Sequence, residues 1–169
     1  LKQTSFNALV STGMLLCLIT AGIDLSVGSN ATFAACLAGM LVNKDMNNPV
    51  LLLVVAIVGG TLIGWINGML LTRLHLPHPF VSTLGMKNVL WGGALIITNS
   101  QMVSFSGNDA VMWLGSSTVA GFPVSFIVVL VIYVIMHILL TKTALGRSIY
   151  CVGGNPEAAR LSGINSANV

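Results

Sequence analysis

The stretch VLLLVVAIVGGTLIGWINGMLLT, Val50–Thr72, decides the fold. It carries no charged residue. It exceeds the roughly 20 apolar residues that a helix needs to cross a bilayer, so it crosses with some tilt. Gly60, Gly64 and Gly68 recur every four residues, with Gly59 beside them, and share one helical face. Such small-xxx-small spacing lets a neighbouring helix approach closely, so helix packing is the ordinary meaning of the pattern. Asn67 stands beside that face, placed to bond across to another helix.

The totals agree with this reading. Of 169 residues, 55% are hydrophobic and 7% charged, and the mean hydropathy is +0.93. A soluble domain carries roughly 25% charged residues. A chain this poor in charge cannot cover its surface in water, whereas a bilayer removes the difficulty. The fold class is therefore all-α, a polytopic transmembrane helical bundle. The net charge of +3 sits in loops and at span ends, and so bears on membrane orientation rather than on nucleic acid. Leu1 is not a start methionine, which reads as a fragment or trimmed chain. Only Lys2 is basic before the first apolar run, and more such runs follow, which speaks against a signal peptide. Cys17, Cys36 and Cys151 show no CxxC spacing, so neither disulfides nor a metal site is expected.

Working outward, the apolar segments predict five spans, at 7–23, 26–42, 50–72, 80–98 and 122–140, in a membrane core covering 1–140. Asp24 interrupts between the first two, in Gly22-Ile23-Asp24-Leu25-Ser26-Val27-Gly28-Ser29. Two short spans with a tight turn fit this pattern, and so does a broken helix re-entering the membrane. Broken backbone at that depth survives only when buried in protein or lining water. Asn43–Pro49 and Arg73–Pro79 read as loops, the latter with two prolines fixing its path. The 80–98 span is weakened by Lys87 and Asn88. Asn99–Gly121 reads as a polar loop, with Trp113 at headgroup level. Its lack of Lys and Arg makes it external, while the three cations of Thr141–Val169 make that stretch cytoplasmic. Counting back puts Arg73–Pro79 inside, Asn43–Pro49 outside, and Asp24–Ser29 on the cytoplasmic side or in a cavity open to it.

Thr141–Val169 is the loop outside the membrane. Gly153-Gly154 predicts a flexible turn. Asn155 is placed to cap a helix and Pro156 suits its first position. Glu157 and Arg160 complement the two ends of the helix dipole. Gly163 suits the left-handed residue after the helix, which folds Ile164 back over Ala159. A helix of about two turns is unstable alone. It either docks on a partner or lies on the chain's own surface.

Four stretches, in order, resemble landmarks of the ribose/xylose/arabinose-type ABC sugar importer permeases of the bacterial inner membrane. They are GIDLSVGS (Gly22–Ser29), GWINGMLL (Gly64–Leu71), PFVSTLG (Pro79–Gly85) and GRSIYCVGGNPEAARLSGIN (Gly146–Asn165). The resemblance implies a multi-pass permease subunit for a ribose-, xylose- or galactose-like monosaccharide. It implies as partners a second permease copy or homologue, a cytoplasmic ATP-binding subunit and a periplasmic sugar-binding protein, besides the lipid bilayer. It implies a further C-terminal group of spans as well. The last landmark would couple to the ATPase through Gly146, Arg147, Gly153, Gly154, Asn155, Glu157, Ala158, Ala159, Arg160 and Gly163. The chain departs from the family at Lys87-Asn88, where a more apolar run is usual, near Trp91, where an arginine is frequent, and at His78.

Asp24 carries three readings: a helix-end residue touching headgroups, a cap accepting from the Ser26 and Gly28 amides, and a liner of the sugar path. With it go Ser26, Gly28, Ser29 and Asn67 as the candidate path or broken-helix motif. Lys87 either snorkels to the cytoplasmic face or pairs with Asp24. His75 and His78 would need two more ligands to hold zinc and read as loop histidines. No phosphate-binding Gly-rich loop and no Ser/His/Asp grouping is present, so neither catalytic residues nor a cofactor is expected. An ion-coupled secondary transporter and a non-transporting scaffold are the competing functions.

Overall fold

The computed structural model describes residues 1–73 and 79–165; His75 and His78 lie outside them. The described residues include eight helices and a hairpin of two two-residue strands, and divide into two compact units.

One unit comprises Asp24–Thr118. Its helices are α2 (Val27–Val42), α3 (Pro49–Arg73), α4 (Pro79–Ile97) and α5 (Asp109–Ser116). α2 packs against both α3 and α4, which also touch each other. Small residues make this possible. A Cβ on Gly59 would come within 2.9 Å of the Leu37 side chain, and one on Gly93 within 2.9 Å of the Phe33 ring. Gly39 leaves room for Val103, which brings the segment after α4 back onto α2. Asn48 caps α3 by accepting from the Val50 and Leu51 amides at 3.0 and 3.3 Å. Asn108 caps α5 by accepting from the Val111 amide at 3.1 Å, and its own amide donates to the Asn47 carbonyl at 2.7 Å. The stretch 99–121, expected as a plain loop, thus holds a helix and is tied to the α2–α3 turn. It ends in the hairpin of β1 (Thr118–Val119) and β2 (Phe122–Pro123), turning through Ala120 and Gly121 at φ 51° and 83°.

The other unit comprises Leu1–Ile23 and Val119–Val169. It holds α1 (Lys2–Ile19), α6 (Val124–Lys142), α7 (Ala144–Gly154) and α8 (Pro156–Leu161). α6 packs on α1, α7 on both, and α8 on α7. The Tyr133 hydroxyl donates to the Ala8 carbonyl at 3.3 Å. Ser5, Ser11 and Thr12 of α1 donate to carbonyls four residues back, so their hydroxyls are satisfied inside their own helix.

Among the described residues, three helices are long and apolar enough to cross a membrane: Pro49–Thr72, Phe80–Ile97 and Val124–Lys142. α1 carries too many polar residues to qualify by composition, and α2, with 16 residues, is short. α1 stops at Ile19 rather than running to residue 23. Ala21 takes a left-handed φ of 59°, so the Gly22 amide closes back on the Cys17 carbonyl at 2.8 Å.

The predicted turn at Gly153-Gly154 is a correction. Both residues lie in the last turn of α7. Gly153 is there for proximity: a Cβ on it would collide with the Ile19 carbonyl at the end of α1. Gly146 is pressed in the same way onto the carbonyls of Leu139 and Leu140. Thr143 sets that corner, accepting from the Gly146 amide at 3.1 Å and donating to the Leu139 carbonyl at 2.6 Å.

Backbone carbonyls cannot step aside as side-chain tips can. Gly153→Ala and Gly146→Ala are each expected to cost about 1–3 kcal/mol. Gly154, with nothing within 4 Å of its would-be Cβ, tolerates alanine. The midpoint of heat unfolding in mild detergent, compared across the three variants, checks this.

Candidate functional site

At Asp24 the chain leaves one helix and starts another. Its carboxylate Oδ1 accepts from both the Ser26 amide at 2.7 Å and the Ser26 hydroxyl at 2.6 Å. This Asx-type closure holds the first turn of α2. α3 supplies the third member: Asn67 Nδ2 donates to Ser26 Oγ at 3.2 Å and, more weakly, to Asp24 Oδ2 at 3.4 Å. Ser26 and Asn67 are 3% and 6% exposed. Asp24 takes the amide expected at Ser26; no bond from the Gly28 amide to it is present among the described residues.

A second amide bridge joins the same two helices. Asn30 Nδ2 donates to the Gly60 carbonyl at 3.0 Å. Cβ atoms on Gly60 and Gly64 would sit at ordinary contact distance from Ala34 and Asn30, whereas Gly68 faces open space. Asn30 is a residue that the sequence reading passed over. Its signal was an amide in the first turn of α2, just ahead of an apolar run.

Gly28 and Ser29, one step further along α2, line a different feature. A cavity of ≈ 750 Å³ opens between α2 and α4, with Gln101, Val103 and Phe105 along one border. From α4 it is lined by Lys87 and Trp91. The sequence-predicted group therefore divides: Asp24, Ser26 and Asn67 form the staple, and Gly28 and Ser29 line the cavity. The expected alternative of a Lys87–Asp24 pair is not realised, because Glu157–Arg160 is the one ion pair among the described residues.

The last landmark is a built corner. Asn155 Oδ1 accepts from the Ala158 amide at 3.0 Å, with Pro156 at the first helical position of α8. At the far end Gly163, at φ 85°, lets the Ile164 amide reach the Ala159 carbonyl at 3.0 Å. Ala159 is buried, which seats α8 on its own chain. Asn155, Glu157, Ala158 and Arg160 are exposed, as is Arg147 on α7. Glu157 and Arg160 meet at 3.1 Å with their side chains 76% and 67% exposed, so the pair adds little stability.

The whole chain, residues 1–169, matches the family described as branched-chain amino acid transport system / permease component. It is 35% identical over its full length to the fructose import permease protein of Bifidobacterium longum, covering 48% of that protein. It is 34% identical to the ribose import permease protein of Haemophilus influenzae, over 98% of this chain and 51% of that protein. It is 36% identical to the D-allose transport system permease protein of Escherichia coli, over 96% of this chain and 49% of that protein. The chain spans about half the length of the curated relatives it matches. No solved structure matches it significantly.

The staple depends on Asn67 donating. Asn67→Ala removes the donor and is expected to cost about 1–3 kcal/mol. Asn67→Asp costs more, since it sets a second carboxylate against Asp24. The double exchange Asp24→Asn with Asn67→Asp restores one donor facing one acceptor and recovers part of the loss. A double-mutant cycle on detergent unfolding midpoints reads this; strict additivity would show that the two side chains do not interact.

Proposed function

We infer the function of this chain from the family it belongs to, that of the branched-chain amino acid transport system permease components. The reading is a membrane-spanning subunit of an ABC importer that passes a monosaccharide across the bacterial inner membrane. One observation carries it: the match runs over the whole chain, and the relatives are named as import permeases for fructose, ribose and allose. Three helices among the described residues, long and apolar enough to cross a bilayer, support the multi-pass placement.

In this reading the membrane core covers 1–140 and the cytoplasmic coupling region 141–169. A partner ATP-binding subunit supplies the energy, a periplasmic sugar-binding protein delivers the substrate, and a second permease copy or homologue completes the pathway. The coupling route follows the contacts of one unit. α8 rests on α7 through Ala159, and α7 rests on the end of α1 through Gly153. A push on α8 therefore reaches Ile19, a few residues before Asp24. The outward Ala158, with Glu157 and Arg160 at its sides, is the contact offered to the ATPase. A small residue there lets the helix sit deep in a groove. Gly146 and Gly163 fix how the chain enters and leaves this corner. Asp24, Ser26 and Asn67 hold the helix break, and Gly28 and Ser29 face the cavity.

The helix break at Asp24 also favours a second reading, an ion-coupled secondary transporter, in which such breaks hold substrate. Purification from mild detergent with the ATPase attached, and ATP-dependent uptake of labelled ribose, fructose or allose, support the first reading. Uptake in vesicles without ATP selects the second.

Ala158→Arg blocks the groove contact while leaving the buried Ala159 in place. ATP-driven uptake is expected to fall about tenfold or more, as for loss of an interface anchor, with membrane levels unchanged. Normal uptake by this variant would remove α8 from the coupling route.

A further inference from the structure

The cavity between α2 and α4 contains a charge that a neutral substrate would not use. Lys87 lies near the middle of α4, half-buried, and lines the cavity. Trp91, one turn further along the same face, lines it too and is 61% exposed. Ser29 and Thr32 line it from α2, and Gln101 from the segment after α4. No Asp or Glu is among the cavity residues, and Lys87 has no acidic partner among the described residues. An ammonium in a membrane span is costly, and one that is kept there faces protein or water and answers an opposite charge. The volume of ≈ 750 Å³ falls within the range of small-molecule sites.

We propose that this cavity receives an acidic monosaccharide, a sugar ring bearing a carboxylate such as a uronate. Its carboxylate pairs with Lys87 Nζ, its ring lies against the Trp91 indole, and its hydroxyls are met by Ser29, Thr32 and Gln101. The inference rests on the sugar-permease reading and narrows its substrate. A neutral sugar would fill the same space but leave the ammonium desolvated and unpaired. The carboxylate removes that penalty and adds a charge-assisted hydrogen bond.

Trp91 reports on its own cavity once Trp65, Trp113 and every tryptophan of the full permease outside residues 1–169 are replaced by phenylalanine. The full permease carrying these changes, in phosphatidylcholine vesicles, is titrated with galacturonate and with galactose. Galacturonate is expected to change the Trp91 emission saturably. Galactose, and galacturonate on Lys87→Gln, are expected to bind about tenfold more weakly or worse, the usual loss of one charged hydrogen bond. Lys87→Arg keeps the charge and retains binding. Equal binding by Lys87→Gln overturns the proposal. So does a signal that needs phosphatidylglycerol rather than galacturonate, which would assign Lys87 to a lipid headgroup. ATP-driven uptake with the partner subunits separates the two levels. Uptake of neutral sugar unaffected by Lys87→Gln, without galacturonate binding, sinks this inference and keeps the permease reading. Galacturonate binding without ATP-driven uptake of any sugar supports the cavity and overturns that reading.

Discussion

A polar group enclosed by a membrane protein has no bulk water to satisfy it, so leaving it unpaired within the chain is costly. The Asp24 staple is the place where this constraint shapes the structure most. The carboxylate accepts from the Ser26 hydroxyl and amide, and the Asn67 N–H donates to both side chains, at the point where regular helical bonding is interrupted, while the Asn67 side-chain carbonyl oxygen is left buried without a partner among the described residues. Without them the start of α2 would expose unpaired amides to an apolar surrounding. With them, the start of α2 is fastened to α3.

The second organising fact is absence of bulk. In the unit from Asp24 to Thr118, Gly39, Gly59 and Gly93 receive Val103, Leu37 and Phe33. In the other unit Gly146 and Gly153 receive backbone carbonyls. The two uses differ in tolerance. A side-chain tip can turn away from an intruding methyl, but a carbonyl in a helix end is held by its own chain. The corner formed by α6, α7 and α1 is therefore the less forgiving of the two, and it is also the corner through which coupling is proposed to run.

Much of this was legible in the residues. The long apolar runs marked α3, α4 and α6 to within about two residues, because membrane-length hydrophobicity is a strong local signal. Asn155, Pro156 and Gly163 marked both ends of α8, because capping chemistry is local as well. The failures concern residues whose meaning lies across the fold. Gly153 looked like a turn, but its missing side chain serves a contact with Ile19, far away in sequence. Asn30 looked incidental, but it answers the Gly60 carbonyl. The cavity could not be read at all, since it depends on residues 101–105 returning over α2 and α4.

α2 has 16 residues, a length of about 24 Å at a helical rise of 1.5 Å per residue, against a hydrocarbon layer of about 30 Å. A helix that stops short would normally thin the lipid around it or drag its ends inward. α2 packs against both α3 and α4, so part of its surface meets protein in place of lipid. The length that α2 lacks is therefore a demand on its protein surroundings as well as on the bilayer.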